Sequence, residues 1–209
     1  MKTSVTFDEE THAYTVDGKR VPSVTEIVGL VTAGKYADTN AAMMEQAKRR
    51  GSEVHFLCEA IDCGIDPEEL EIPPELAGYV NAYLAFLRDW APEWDYIEKT
   101  VYTPMYAGRA DRIGTIDGHT VIVDLKSTGN MDRLSKLALL LQLTGYGLAW
   151  ADMGYDMPEK TLGVQLKRDG KYTLHWSEDI KKKYLQASDS DLFLFLDLIR
   201  IQTIIGGYQ

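Results

Sequence analysis

Apolar and polar residues alternate in several short runs along the chain, and three runs turn back at an Asp-Gly pair: Asp17-Gly18, Asp117-Gly118 and Asp169-Gly170. An Asp-Gly pair between alternating apolar residues marks a β-hairpin. Hairpins sharing one turn type are therefore predicted over Val5 to Val21, Tyr106 to Thr128 and Thr161 to Trp176, with Tyr96 to Pro104 a strand leading into the second. The remaining apolar positions recur at helical spacing. Ser23 and Glu26 have the spacing of a capping box and open a short helix through Ile27 and Leu30. Asn40 caps a longer helix, AAMMEQAKRRGSEVHFLCEAI, with Gly51 its weak point. Further helices are predicted from Glu75 to Trp90, from Asp132 to Met153, and as one closing helix from Glu178 to Ile204. Strands mixed with helices over 209 residues, without a repeat or a linker, make residues 1–209 a single α/β domain.

The middle hairpin carries chemistry. If Asp117-Gly118 is the whole loop, Ile116 faces His119, and counting outward sets Asp111 opposite Asp124 and Arg109 opposite Lys126. Opposed Cβ atoms lie roughly 4.5 to 5.5 Å apart, so two carboxylates there destabilise the sheet unless a raised pKa or a bound cation compensates them. Val121, Val123 and Leu125 fall on the other side and lock the register, since a one-residue slip would bury the charges. The pattern suits a divalent cation held by carboxylates, with Lys126 in phase to act on a phosphate. It also suits a surface ladder in which Lys126 and Arg109 pair with the acids.

Composition narrows the classes. The net charge of −10 argues against coating nucleic acid by bulk electrostatics but leaves room for a local basic groove. Basic residues cluster at Lys48-Arg49-Arg50, around Arg109 and Arg112, at Arg133 and Lys136, at Lys167-Arg168, and at Lys181-Lys182-Lys183, each taken singly a solvated face. Cys58 and Cys63 read as reduced thiols, too few for a four-thiolate site. No apolar run is long enough for a bilayer, and Met1-Lys2-Thr3 leads into polar sequence, so a cytoplasmic protein is expected.

The segments GRAD, VIVDLKST and QLTGY, in that order after RRGSEVHFLCE, resemble the PD-(D/E)XK nuclease superfamily, in particular its RecB-like and phage-type exonucleases; the opening HAYTVDGKRVPSVTEIV is similar to the start of phage-type members. The resemblance runs from about Thr11 to Trp150. It implies a restriction-endonuclease-like core, a central mixed sheet flanked by helices with an N-terminal β-hairpin and a parallel strand after the Gln-Tyr helix. It implies Asp111, Asp124, the Leu125 carbonyl and His55 as metal ligands, and Lys126 as the catalytic lysine beside Gln142 and Tyr146. Glu98 is a candidate for a second cation or a bound water, with Glu59 its competitor. The bland readings are a satisfied helix histidine for His55 and core packing for Tyr146. Arg109, Arg50, Arg133 and Lys136 are the candidate DNA contacts.

The implied activity is Mg²⁺-dependent hydrolysis of DNA, with Mn²⁺ a substitute and no iron–sulfur cluster. Action from DNA ends in recombination, repair or phage DNA processing is expected, in a bacterium or phage-infected cell. No GxxxxGK[ST] loop is present, so a helicase or single-strand annealing protein would be a separate chain. A homo-oligomer, including a ring, is compatible by analogy. The alternatives are a catalytically silent nucleic-acid-binding or assembly subunit of the same fold, and a structural protein whose acidic surface meets a basic partner.

Overall fold

A computed structural model describes residues 3–8, 11, 13–36, 40–186 and 189–208. Two sheets form. The smaller is an antiparallel meander of β1 (Val5–Asp8), β2 (Ala13–Val16) and β3 (Lys19–Val21), so the opening segment contributes three strands where the sequence predicted one hairpin. The larger has the order β4 (Glu93–Tyr102), β5 (Ala107–Ile116), β6 (His119–Ser127), β7 (Lys160–Leu166) and β8 (Tyr172–Trp176). Only β6 and β7 run parallel, joined through helix α4 (Arg133–Asp152); every other neighbouring pair is antiparallel. This is the expected mixed sheet.

Local chemistry explains the boundaries. Helix α1 (Val24–Thr32) begins in the anticipated capping box, Ser23 Oγ accepting from the Glu26 amide and Glu26 accepting from the Ser23 amide. Asn40 caps α2 (Ala41–Asp62), which runs through Gly51, and Asp132 caps α4. Helix α3 (Ala77–Trp90) ends at Ala91 in the left-handed conformation. Asp17-Gly18 and Asp117-Gly118 both have positive φ at both residues, the signature of type I′ turns. The third turn departs from them. Only Gly170 is left-handed, and the Lys167 amide bonds the Lys171 carbonyl across a longer loop. The predicted closing helix is likewise two helices, α5 (Ser177–Tyr184) and α6 (Asp191–Gly206).

The large sheet buries both faces. Val121, Val123 and Leu125 pack with Val54, Leu57 and Cys58 of α2 and with Tyr83 and Phe86 of α3. The opposite face holds Ile122 with Leu139, Leu143 and Tyr146 of α4, Ile27 of α1, and Phe195 and Ile199 of α6. The free thiols are Cys58, buried, and Cys63, exposed. Among the described residues no helix is long and apolar enough to cross a membrane.

The β5–β6 register is the one predicted from Ile116↔His119 to Arg112↔Val123. There the paired ladder ends, one step before Asp111 and Asp124. The Leu125 amide instead donates to Asp111 Oδ2 at 2.6 Å, so a side chain replaces a main-chain partner. Arg109 and Lys126 are accordingly not a ladder pair; Arg109 is registered with Thr100 on β4. The loss of pairing opens the ribbon where its charged residues lie.

Candidate metal centre

Three chain segments meet at this opening. His55 comes from α2, Glu98 from β4 and Asp111 from β5, with one ligand-type atom from each lying within 4.8 Å of the others. His55 Nε2 lies 3.0 Å from the Leu125 carbonyl, which can only accept, so Nε2 carries a proton and Nδ1 is the atom free to ligate in the neutral ring. Nδ1 stands 3.7 Å from Asp111 Oδ2 and 3.9 Å from Glu98 Oε1. Glu98, rather than Glu59, completes the cluster; Glu59 lines the adjoining cavity wall.

Glu98 has a φ of +50°, a left-handed backbone that costs a non-glycine residue about 1–3 kcal/mol and persists only where its surroundings enforce it. The β4–β5 ladder passes over this residue, between Ile97↔Arg112 and Lys99↔Ala110, and two arginines hold its carboxylate. Arg109 Nε meets Glu98 Oε2 at 2.8 Å, and Arg112 Nη1 meets Oε1 at 3.2 Å. Arg112 is wholly buried, not the solvated residue that its place in a basic cluster predicted. Its Nε pairs with Asp62 Oδ2 at 2.5 Å and its Nη1 donates to the Asp111 carbonyl at 2.6 Å, while Tyr83 Oη donates to the same Asp62 oxygen. A second tier of charge thus fixes the backbone of one candidate ligand and the carboxylate of another.

Asp124 and Lys126 project from the face of β6 that meets α4. Lys126 Nζ is 2.8 Å from Asp124 Oδ2 and donates to Gln142 Oε1 at 3.0 Å; Gln142 Nε2 in turn donates to Tyr146 Oη at 2.8 Å. Asp124 Oδ2 is buried, with the Lys126 ammonium against it. Gly108 makes room for this network: a Cβ there would fall 2.7 Å from the Tyr146 ring and 3.0 Å from Val24.

The electrostatics are those of crowded anions. Burial, with Asp124 and Glu98 nearby, raises the Asp111 carboxyl to about 6 against the pull of His55. Burial disfavours a charged His55, yet Asp111, Glu98 and Asp124 outweigh it and lift the imidazole to about 9. Glu98 goes the other way: burial would raise it, but His55, Arg109 and Arg112 hold it below its ordinary range. Burial also opposes the Lys126 charge, and Asp124 and Asp111 more than restore it, so the ammonium is held above its ordinary value. Two carboxylates and an imidazole, from Glu98, Asp111 and His55, form a donor set for a hard or borderline divalent cation, with the buried Asp124 carboxylate paired to Lys126 outside that trio.

Beside the cluster lies an open cavity of about 370 Å³ lined by Gly51, Ser52, His55, Phe56, Glu59, Glu98 and Arg109. Arg50, Arg133 and Lys136 lie off this wall. The Arg50 and Arg133 guanidinium groups sit 5.9 Å over the Tyr79 and Tyr184 rings, and Lys136 lies on α4 near His175. The sequence reading missed Phe56, two-thirds exposed in the cavity, and the Asp62–Arg112–Tyr83 tier behind it. Phe56 had a signal, since it is apolar yet off the Val54, Leu57, Cys58 stripe.

No curated protein matches the chain. One solved structure, described as "Crystal structure of SSO0001", aligns with 88% of this chain and 75% of its own at 14% identity and a TM-score of 0.36, a likeness too slight to carry an argument. The family model of the PD-(D/E)XK nuclease superfamily matches residues 33–192, a span that takes in His55, Glu98, Asp111, Asp124, Lys126, Gln142 and Tyr146. The fold agrees with that superfamily, and its nucleases use divalent metals. By this match over most of its length, the chain belongs to the PD-(D/E)XK nuclease superfamily.

Proposed function

We propose that the protein is a Mg²⁺-dependent deoxyribonuclease that degrades DNA from its ends, in recombination, repair or phage DNA processing. The observation that carries the nuclease reading is the His55, Glu98 and Asp111 cluster, with the buried Asp124 carboxylate, paired to Lys126, beside it on β6. His55 Nδ1, Glu98, Asp111 and Asp124 would hold the cation, together with the Leu125 carbonyl where His55 yields it. When bound, the cation supplies Lewis-acid polarisation of the scissile phosphate and an acidified water.

The protein's own groups do the rest. Lys126, held between Asp124 and Gln142, orients the attacking water and offsets the charge developing on phosphorus. Tyr146 and Gln142 fix that lysine against α4. Arg109, exposed at the cavity rim, receives a neighbouring phosphate, and Arg50, Arg133 and Lys136 are assigned to the flanking backbone. The preference for ends rests on the likeness of GRAD, VIVDLKST and QLTGY to RecB-like and phage-type exonucleases, as does the expectation of an annealing protein or helicase as a separate partner.

End-labelled linear duplex and covalently closed circular DNA, each incubated with Mg²⁺ and with chelator, test the reading. Loss of the linear form alone supports an exonuclease. Cutting of circles makes it an endonuclease, and no cutting of either, with Mn²⁺ also tried, leaves a silent binding subunit.

A further inference from the structure

Helix α6 is apolar on two sides. Its inner side inserts Phe195 and Ile199 against α1 and α4, with Phe195 edge-on to Tyr106 at 5.3 Å. Its outer side leaves Phe193 67%, Ile204 81%, Ile205 68% and Ile201 45% exposed. Large apolar side chains left exposed on a helix that already buries its inner side mark an interaction surface.

The stripe has an order that selects its occupant. At about 100° per residue, Phe193, Asp197, Arg200 and Ile204 fall within an arc of about 60°, and Ile201 lies beside it. Along the axis the sequence is apolar, acid, base, apolar. The positions are symmetric about the midpoint between residues 198 and 199. A two-fold axis through that point, perpendicular to the helix, sets Phe193 of one copy on Ile204 of the other and Asp197 on Arg200, twice over. Both charged side chains are available, 70% and 82% exposed, with only a loose 3.9 Å contact to each other within the helix. A surface complementary to itself under a two-fold is what an isologous dimer needs. A parallel pairing in register would instead set acid on acid and base on base.

We infer that the protein forms a two-fold dimer in which the outer faces of two α6 helices pack antiparallel, with Asp197 of each copy against Arg200 of the other. The apolar contacts at both ends supply the attraction and the central charges set the direction and register. The inference stands independently of the nuclease reading.

Sedimentation equilibrium of the full chain across a wide concentration range, with circular dichroism to verify folding, provides the test. Wild type is expected to populate dimer and no larger species. Asp197→Arg and Arg200→Asp each place like charges at both central contacts and should weaken the dimer by roughly tenfold or more. The 1:1 mixture of these two variants restores opposite charges at both contacts and should recover dimerisation as a heterodimer. Phe193→Glu, at an exposed position, should leave the fold intact and yield monomer. A monomeric wild type, an assembly larger than two, or a mixture that associates no better than its components overturns the inference.

Discussion

Arg112 offers the sharpest test of how the centre is built. Its side chain is wholly buried, and its charge is answered by Asp62, itself 2% exposed, and by Glu98. Arg112→Met keeps the volume and removes the charge. Asp62 is then left buried with the Tyr83 hydroxyl but no cation, Glu98 loses one of the two arginines that hold its carboxylate, and the Asp111 carbonyl loses a 2.6 Å donor. Removing one partner from a buried pair costs about 3–5 kcal/mol, most of it the penalty for the stranded charge. Urea unfolding at neutral pH should show a loss of that size. The companion Asp62→Leu/Arg112→Met double variant removes both charges, and its loss should fall short of the summed single losses by about 1–3 kcal/mol. A single-variant loss below about 1 kcal/mol, or strict additivity in the double, would refute the claim that this pair is a coupled foundation of the site.

Three further outcomes follow from particular contacts. Asp124→Asn keeps the shape but withdraws the charge from the carboxylate paired with Lys126, so calorimetric affinity for Mn²⁺ should fall about tenfold or more. His175 is buried and its imidazole is pushed down to about 4 by burial, with Lys136 and Lys167 adding repulsion. The unfolded chain therefore takes up a proton near pH 6.5 that the folded one refuses until about pH 4, and stability present above 6.5 is lost as pH falls through that window. After allowance for solvent screening the loss is roughly 1–2 kcal/mol, and His175→Gln should abolish that part of the pH dependence in melting curves. A Cβ on Gly78 would meet the Arg168 carbonyl oxygen at 1.8 Å, whereas one on Gly147 meets nothing nearer than 3.7 Å. Gly78→Ala should cost about 1–3 kcal/mol or more, and Gly147→Ala should be neutral or gain up to about 1 kcal/mol in denaturant titration.

What could be read along the chain was set by short-range physics. Caps at Ser23 and Asn40 answer unpaired amides within one turn, and Asp117-Gly118 accepts positive φ and so sets the β5–β6 register. From that register the placement of Val121, Val123 and Leu125 on the opposite side from Asp124 followed directly. It also placed Arg112 opposite Val123 on the buried side, a consequence that the surrounding basic residues masked. Tertiary structure alone decided the rest. The β5–β6 ladder stops where Asp111 captures the Leu125 amide, and the Glu98 carboxylate is held by arginines that reach it only once β4 and β5 pair. His55 meets Leu125 across 70 residues of sequence. The closing segment, expected as one long helix, divides between α5 and α6, where Asp189 accepts from the Gln186 amide and Ser190 takes the N-cap position of α6. Periodicity reports which residues seek burial; which of them find a partner is settled by the other elements that arrive.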